Sequence, residues 1–287
     1  KLLIPWLEDE AHRRAIAHIL GTLDDKLELN RRMSETLEQM ARTLFKSWFV
    51  DFDPVRAKAA VRREHSDWTN EQVSRAACPN LKPEIGALFP DTFVDSELGE
   101  IPRGWEVGTL ADTSDLNPEV WSKQARPPEI DYVDLSNTKW GRIEAVTAYR
   151  AADAPSRAQR VLRSGDTIVG TVRPGNGSYA FISEAGLTGS TGFAVLRPRK
   201  IQYAQFVYLA ATAAENIDAL AHLADGGAYP AVRPEVVAAT PVVRPNDKVL
   251  ARFSQAAGPL LANMARNEHE SRTLAALRDA LLPKLIS

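Results

Sequence analysis

The sequence is poor in what staples small oxidised or metal-bound domains, with a single cysteine, Cys78, among 287 residues. One thiol cannot close an internal disulfide or build a cysteine zinc cluster, so nothing demands an oxidising compartment. Long apolar runs are also missing. No stretch approaches the roughly 20 residues that span a bilayer, and the opening Lys1-Leu2-Leu3-Ile4-Pro5-Trp6 has no cationic leader, long apolar segment or cleavage site. The expectation is therefore a cytoplasmic protein without a membrane partner. Nor is there a surplus of one charge: 35 basic against 37 acidic side chains give a formal net charge of −2. A nucleic-acid role would have to rest on a local surface. What is present, 44% hydrophobic and 25% charged residues, is globular usage and excludes fibrous and wholly disordered chains. The chain begins without Met, inside what reads as a strand end or loop, which predicts a piece of something longer.

Catalytic motifs are scarce too. Pro90-Asp91 opens like a metal-dependent nuclease, but Glu97-Leu98-Gly99 and Glu100-Ile101-Pro102 lack the lysine such a site needs. Gly175-Asn176-Gly177 is followed by Ser178-Tyr179-Ala180 and does not complete a dinucleotide or methyl-donor fingerprint. The five histidines (12, 18, 65, 222 and 269) are scattered, with no pair at zinc-helix spacing. No catalytic residue, metal site or cofactor is expected.

From Glu8 onward, apolar residues recur at Ile16, Leu20, Leu23, Leu27, Leu37, Ala41, Leu44 and Trp48 in steps compatible with alternating four and three. This is a heptad seam, and the two positions that interrupt it, Asn30 and Ser34, are polar. A buried Asn in a seam fixes register against one partner helix at some cost in stability. Acidic Glu8, Asp9 and Glu10 open the segment, and Asp51-Phe52-Asp53-Pro54 closes it. The helix is thus about 40 residues and about 60 Å long. The C-terminal segment has the same character, with Phe253, Ala257, Leu260, Met264, Asn267, Ser271, Leu274 and Leu281 up to Pro283. With a shift of 237, Gly21 meets Gly258, Leu23 meets Leu260, Asn30 meets Asn267, Ser34 meets Ser271, and Thr36-Leu37 meets Thr273-Leu274. The chain contains one helix twice. Ile4-Pro5 and Thr240-Pro241 precede the two copies, so the globular segment before the second copy is expected to have a counterpart, absent here, before the first.

Between the helices, 54–99 is a charged connector with many breakers, expected to pack on the next domain through Trp68, Leu81, Leu88 and Phe89. Strand-like runs follow at Trp105 to Leu110, Tyr132 to Leu135, Thr167 to Val172, Tyr179 to Ile182 and Phe193 to Leu196, with a helical stretch from Tyr203 to Leu223. The fold class expected is α+β: a globular mixed domain flanked by two long helices that pair as an antiparallel coiled coil. The boundaries are 1–53 for the first helix, 54–99 for the connector, 100–248 for the globular domain and 249–287 for the C-terminal helix.

Three loops carry the ingredients of DNA contact. The strand from Thr167 delivers Arg173 into Pro174-Gly175-Asn176-Gly177-Ser178-Tyr179. Arg can bond guanine and Asn adenine through paired hydrogen bonds, and glycines let backbone approach phosphates; a plain hairpin turn with a surface Arg accounts for the segment equally well. Asp225-Gly226-Gly227-Ala228-Tyr229-Pro230-Ala231-Val232-Arg233 repeats the mixture, although Gly226 could simply end a helix. Ser136-Asn137-Thr138-Lys139-Trp140-Gly141-Arg142 is the third, a solvated hairpin being its plainer reading. The candidate contacts are Arg173, Asn176, Ser178 and Tyr179 first, then Lys139, Arg142, Tyr229 and Arg233. Arg157, Arg160 and Arg163 could line a phosphate-facing row. With 16 basic and 17 acidic residues between Glu100 and Lys248, contact must be a focused patch.

These residues resemble a known family. Leu20-Gly21-Thr22-Leu23-Asp24-Asp25-Lys26-Leu27-Glu28-Leu29-Asn30-Arg31-Arg32-Met33, continued by Leu44-Phe45-Lys46-Ser47-Trp48-Phe49-Val50-Asp51-Phe52-Asp53-Pro54, is similar to the central helical region of specificity subunits of type I restriction-modification systems. Leu98-Gly99-Glu100-Ile101-Pro102-Arg103-Gly104-Trp105 resembles the start of a target recognition domain, and Ala228-Tyr229-Pro230 with Thr240-Pro241-Val242 its close. Leu277-Arg278-Asp279-Ala280-Leu281-Leu282-Pro283-Lys284-Leu285-Ile286-Ser287 resembles the family's C-terminal region. The resemblance covers nearly the whole chain, as the second half of such a subunit.

It implies a non-catalytic, sequence-specific DNA-binding subunit of a host-defence system. Each recognition domain reads one half of a bipartite site on double-stranded DNA. The helix pair sets half-site spacing and docks the modification (methyltransferase) subunits that carry DNA methylation, and the restriction and translocase subunit joins them. A 60 Å helix corresponds to at most roughly 17 base pairs. Lacking the first recognition domain, the chain is either a fragment or a half-subunit that pairs with a second copy. The competing expectations are a coiled-coil protein-interaction scaffold without base readout and an enzyme with an unrecognised site.

Overall fold

The structure is a computed structural model that describes residues 10–286 apart from 123 and 228. The opening residues Lys1 to Asp9, among them the Ile4-Pro5 flank and the acidic Glu8 and Asp9, lie outside the described residues, as do Ala228 and Ser287.

The first helix, α1, runs Glu10–Phe49. Pro54 does more than end it. Phe52 adopts a left-handed φ of 55° and α2 (Asp53–Glu64) starts with Pro54 in its first turn, where a missing N–H costs nothing. The connector contains α3 (Asn70–Ala77), opened by a Thr69/Gln72 capping box, α4 (Pro83–Gly86) and the hairpin of β1 (Phe93–Ser96) and β2 (Gly99–Pro102). Lys58 is completely buried and donates to Asn70 Oδ1 and to the carbonyls of Gly86 and Phe89, tying these pieces together. Burial lowers its pKa.

The chain continues through β3 (Glu106–Thr109), α5 (Leu110–Thr113), β4 (Ser114–Leu116), β5 (Glu129–Val133), β6 (Thr138–Lys139), β7 (Arg142–Ile143), β8 (Thr147–Arg150) and β9 (Ala158–Val161). Then come β10 (Thr167–Gly170), β11 (Tyr179–Phe181), β12 (Leu187–Ser190), β13 (Phe193–Pro198), α6 (Ala204–Ala211), α7 (Ala214–Leu223), α8 (Pro234–Ala238), β14 (Pro241–Arg244) and α9 (Asp247–Ile286). One four-stranded sheet has the order β11-β10-β13-β4 and is antiparallel throughout. A second, β8-β5-β12-β9, contains one parallel pair, β5 with β12. Ile168, Phe193, Val195 and Ala180 of the first sheet meet Val133 and Leu187 of the second, with Leu162, in one buried cluster. The strands β10 and β13 read as unbroken apolar runs because α6 covers their other face.

Each of the five expected runs overlaps a strand: β3, β10 and β11 lie within theirs, whereas β5 begins before Tyr132 and β13 continues past Leu196 to Pro198. Sequence gave no signal for β12: Leu187-Thr188-Gly189-Ser190 is wholly buried with one large apolar residue, and Gly189 is small enough for Leu162 to lie against it. The expected single helix from Tyr203 to Leu223 is two, because Ala213 is extended between α6 and α7. There Asn216 Nδ2 caps the Ala211 carbonyl at 2.7 Å.

The chain divides into two compact units, Lys1–Met40 with Pro259–Ser287, and Ala41–Gly258. The connector and the globular domain thus fall in one unit, together with the last turns of α1 and the first of α9. Its second core is aromatic. Phe45, Trp48, Phe49, Phe89, Trp105, Phe206 and Phe253 meet at centroid distances of 4.8 to 6.3 Å, mostly tilted or edge-on, a geometry worth about 0.5 to 1.5 kcal/mol per pair beyond burial.

The other unit is a helix pair. Asp24 meets Arg278 at 3.1 Å, Asn30 Nδ2 donates to Glu270 Oε2 at 2.8 Å and lies 3.4 Å from Ser271 Oγ, and Asn267 Nδ2 donates to Ser34 Oγ at 3.3 Å. Rising numbers on one strand of contacts meet falling numbers on the other, so the helices are antiparallel. Asn30 with Ser271 and Asn267 with Ser34 are the same contact exchanged by the 237-residue repeat, so the pair has a local two-fold. Asn30 and Ser34 are buried, whereas Leu20, Leu23, Leu27, Leu37, Asn267, Ser271, Leu274 and Leu281 are half-buried, as two helices alone leave them. Met264 is buried; Leu260 is half-buried, and Leu261, not expected in the seam, is covered instead. A core-facing stripe about 100° wide takes in both leucines, so heptad spacing could not choose between them. Leu44, half-buried, belongs to the globular unit.

Candidate nucleic-acid interface

The three loops singled out in the sequence are sewn together by backbone hydrogen bonds. Arg173 takes a left-handed φ of 47°, and its N–H donates to the Pro230 carbonyl at 2.7 Å. Val232 N–H donates to Thr171 O at 2.9 Å, so the 225–231 loop hangs on the end of β10. The β6–β7 hairpin is fastened to the same turn by Trp140 N–H to Gly177 O at 2.6 Å and Gly141 N–H to Tyr179 O at 2.9 Å. Gly177 has no alternative here: its φ is +68°, and a Cβ would lie 2.6 Å from the Trp140 indole.

The loops enclose an open cleft of about 880 Å³. Arg173, Asn176, Ser178, Lys139 and Tyr229 line it. Ser178 is buried and donates to Leu135 O at 3.2 Å, whereas Lys139, Arg173, Asn176 and Tyr229 are exposed. The Tyr229 ring, 72% exposed, lies under the Arg173 guanidinium at 4.8 Å. Among the described lining residues Lys139, Arg157 and Arg173 are cationic and Asp134 alone is anionic. Asp134 is itself engaged, accepting from Leu135 N–H at 2.6 Å and from Arg157 at 3.3 Å. The cleft is thus locally cationic in a domain that is balanced as a whole.

Three candidates are not brought to the cleft. Tyr179 faces the interior, 6% exposed, and its hydroxyl accepts from Arg42 at 3.3 Å, because successive strand residues point to opposite sides and Ser178 takes the cleft side. Arg142 pairs with Lys139 across the β6–β7 register but is half-buried outside the lining. Arg233 is exposed and precedes α8, also outside the lining. The expected row of Arg157, Arg160 and Arg163 does not form. Only Arg160 lies within β9, with Arg157 just before it and Arg163 beyond its end, and along extended backbone a step of three changes face. Arg157 reaches the cleft, the Arg160 Nε is buried, and Arg163 binds Glu119 through two hydrogen bonds of 2.7 Å. Conversely, Trp140, Ser136 and Thr191 line the cleft without having been proposed as contacts. Trp140, 55% exposed with a left-handed φ of 48°, carried a readable signal as an aromatic between Lys139 and Gly141. Ser136 belonged to the third loop without being named among the contacts, and Thr191 carried no signal.

Among the described residues no group of three or more His, Cys, Asp or Glu is placed to hold a metal ion, and no helix is long and apolar enough to cross a membrane. No family model matches the chain. It is 25% identical over 98% of its length to the HindI type I restriction enzyme specificity subunit of Haemophilus influenzae, spanning 68% of that protein. With the MjaIX type I restriction enzyme specificity subunit of Methanocaldococcus jannaschii it shares 21% identity over 99% of its length, spanning 59% of that relative. A crystal structure of a type I restriction-modification S subunit from M. genitalium superposes on 96% of the chain and 61% of its own, with a TM-score of 0.53 at 15% identity, a likeness of fold. Along nearly its whole length the chain is therefore a homologue of type I restriction enzyme specificity subunits.

Proposed function

We propose that the chain is a non-catalytic DNA-recognition subunit of a type I restriction-modification complex, in which the globular unit reads one half of a bipartite site on double-stranded DNA. The observation that carries this reading is the convergence of three loops, far apart in sequence, on one cation-lined cleft holding Arg173, Asn176, Ser178 and Lys139. Arg and Asn discriminate base edges, while Lys and Arg neutralise phosphates. Arg173→Ala should weaken target binding and blur preference at one base pair by about 1 to 3 kcal/mol. Unchanged affinity and unchanged preference would remove Arg173 from the site.

The helix pair is proposed to set half-site spacing through its register and to dock the methyltransferase subunits, which the restriction and translocase subunit joins. Most of the expected seam leucines, Leu20, Leu23, Leu27, Leu37, Leu260, Leu274 and Leu281, are only half-buried, and Ile19, Leu29, Met33 and Met40 form an exposed apolar row along α1. These features support a surface completed by partner helices. Exchanging Leu23 and Leu37 together for Asp should abolish assembly with the methyltransferase; an intact complex would refute this role. The reciprocal Asn–Ser contacts fit a half-subunit that pairs with a second copy as well as they fit a fragment. A cytoplasmic location, where these partners and DNA meet, goes with the reading. A protein-binding scaffold without base readout is the competing function, and it requires that no duplex DNA be retained even at low salt.

A further inference from the structure

We infer that Trp140 is a specificity-determining residue, whose outward ring face reads the C5 methyl of one thymine of the recognised site from the major groove. The inference rests on the DNA-recognition reading above. Among the described residues only two phenylalanine, tyrosine or tryptophan side chains are exposed, Trp140 and Tyr229, and both line the cleft. Folding alone does not call for a tryptophan at this place. Trp140 and Gly141 form the two-residue turn between β6 and β7, with φ of 48° and 84°. Asparagine, aspartate or glycine takes the first place of such a turn at little cost, whereas a bulky ring is strained there. Burial does not offset the strain, since the ring stays exposed. Strain kept at one side chain beside a cleft points to a role in binding.

The ring is also fixed in place. The Trp140 backbone N–H donates to Gly177 O at 2.6 Å, and the Tyr179 ring stands perpendicular to the indole with centroids 6.0 Å apart. A Cβ on Gly177 would lie 2.6, 2.6 and 2.8 Å from three adjoining atoms of the indole. A point that close to all three lies over the ring and not beside its edge. One face therefore rests on the Gly177 backbone, and the exposure belongs to the other. To a fixed, flat, apolar face an intact duplex offers one apolar group, the thymine C5 methyl, which projects into the major groove and is missing from the other three bases. Contact with it requires no unstacking. Lys139, adjacent in sequence and also lining the cleft, supplies attraction to phosphate beside the ring. Tyr229 is not equivalent, because the Arg173 guanidinium already lies over its ring at 4.8 Å.

The test uses the full chain assembled with its methyltransferase subunits, and duplexes selected from a random-sequence library as the probe. Each thymine of the selected site is replaced in turn by deoxyuridine, which deletes the C5 methyl and keeps the pairing. In the wild type at least one replacement should weaken binding about three- to tenfold, the scale of one buried methyl group. Trp140→Ala should abolish that penalty at one such thymine and keep the penalties at the others. Trp140→Phe, which retains an aromatic face, should preserve part of it. With 5-iododeoxyuridine at the same thymine, the wild-type complex should crosslink under ultraviolet light to the peptide that holds Trp140. No deoxyuridine penalty at any thymine, a penalty that survives Trp140→Ala, or a crosslink that is absent or falls on another residue overturns the assignment. A penalty lost evenly at every thymine marks a structural role for the ring and overturns it too. If Trp140→Ala does not fold, the wild-type crosslink decides alone. In all these cases DNA recognition itself stands. Selection that enriches no sequence sinks the recognition reading, and this inference with it.

Discussion

The helix pair and the globular unit are specified in opposite ways. In the pair, the most deeply buried α1 residues of the seam centre are polar, Asn30 at 1% and Ser34 at 4% exposure, while the surrounding leucines are half-open. In the globular unit the deep core is mostly apolar, with Phe89, Phe206 and Phe253 sealed and Trp48 and Trp105 against them, although Lys58 and Asp166 are as completely buried. The pair is built for register and the globular unit for stability. An asparagine in a two-helix seam costs stability whether or not its partner is correct, but it costs least in the one register where its amide is bonded. The Asn30 Oδ1, buried and without a partner among the described groups, is part of that cost.

The contrast can be broken first where it predicts most. Trp48→Ala should destabilise the globular unit by about 3 to 5 kcal/mol in urea denaturation, because a ring packed against Phe49, Phe89 and Phe253 leaves a cavity. A loss under about 1 kcal/mol would mean that the aromatic cluster is not the core. Asn30→Asp should cost the pair about 2 to 3 kcal/mol. The new carboxylate would occupy a buried position facing Glu270, which now accepts from the Asn30 amide. The cost should shrink in acid as the carboxylates protonate. A pH-independent loss measured by helicity would point to shape and not charge.

Gly177→Ala tests the cleft. It forces a Cβ into the Trp140 ring at positive φ and should cost about 1 to 2 kcal/mol with loss of DNA affinity. Unaltered binding would separate Trp140 from the interface. The smallest effect belongs to Glu119, whose carboxyl is pulled down to about 2 by hydrogen bonds from Arg163 and then Arg197. A depressed folded pKa contributes stability that is present above the ordinary carboxylate value near 4.5 and is lost as pH falls toward about 2. Glu119→Gln should therefore cost about 1 kcal/mol at pH 7, modest for a partly exposed pair. The difference from wild type should close below pH 4.5 in a thermal-midpoint series. A gap constant down to pH 2 would remove the ion pairs as its cause.

Much of the pair was legible because helix periodicity is a local property: Asn30, Ser34, Asn267 and Ser271 can be read off as seam positions without knowing the fold. The connector was less so. Its proline and glycine residues marked breaks, but Pro54 could equally end one helix or begin the next, and the left-handed Phe52 decided for both. Within the site, Arg173, Asn176 and Lys139 were readable as loop chemistry, whereas Tyr179 was misplaced because adjacent strand residues differ only in which side they face.

The sequence by itself determined the repeated helix, its polar register positions and the three loops rich in glycine, aromatic and basic residues. Tertiary structure alone decided that these loops share one cleft. The bonds that join them, Trp140 to Gly177 and Arg173 to Pro230, link residues 37 and 57 positions apart. Periodicity and turn propensity act over a few residues, so they could specify each loop but not the contacts that bring them together.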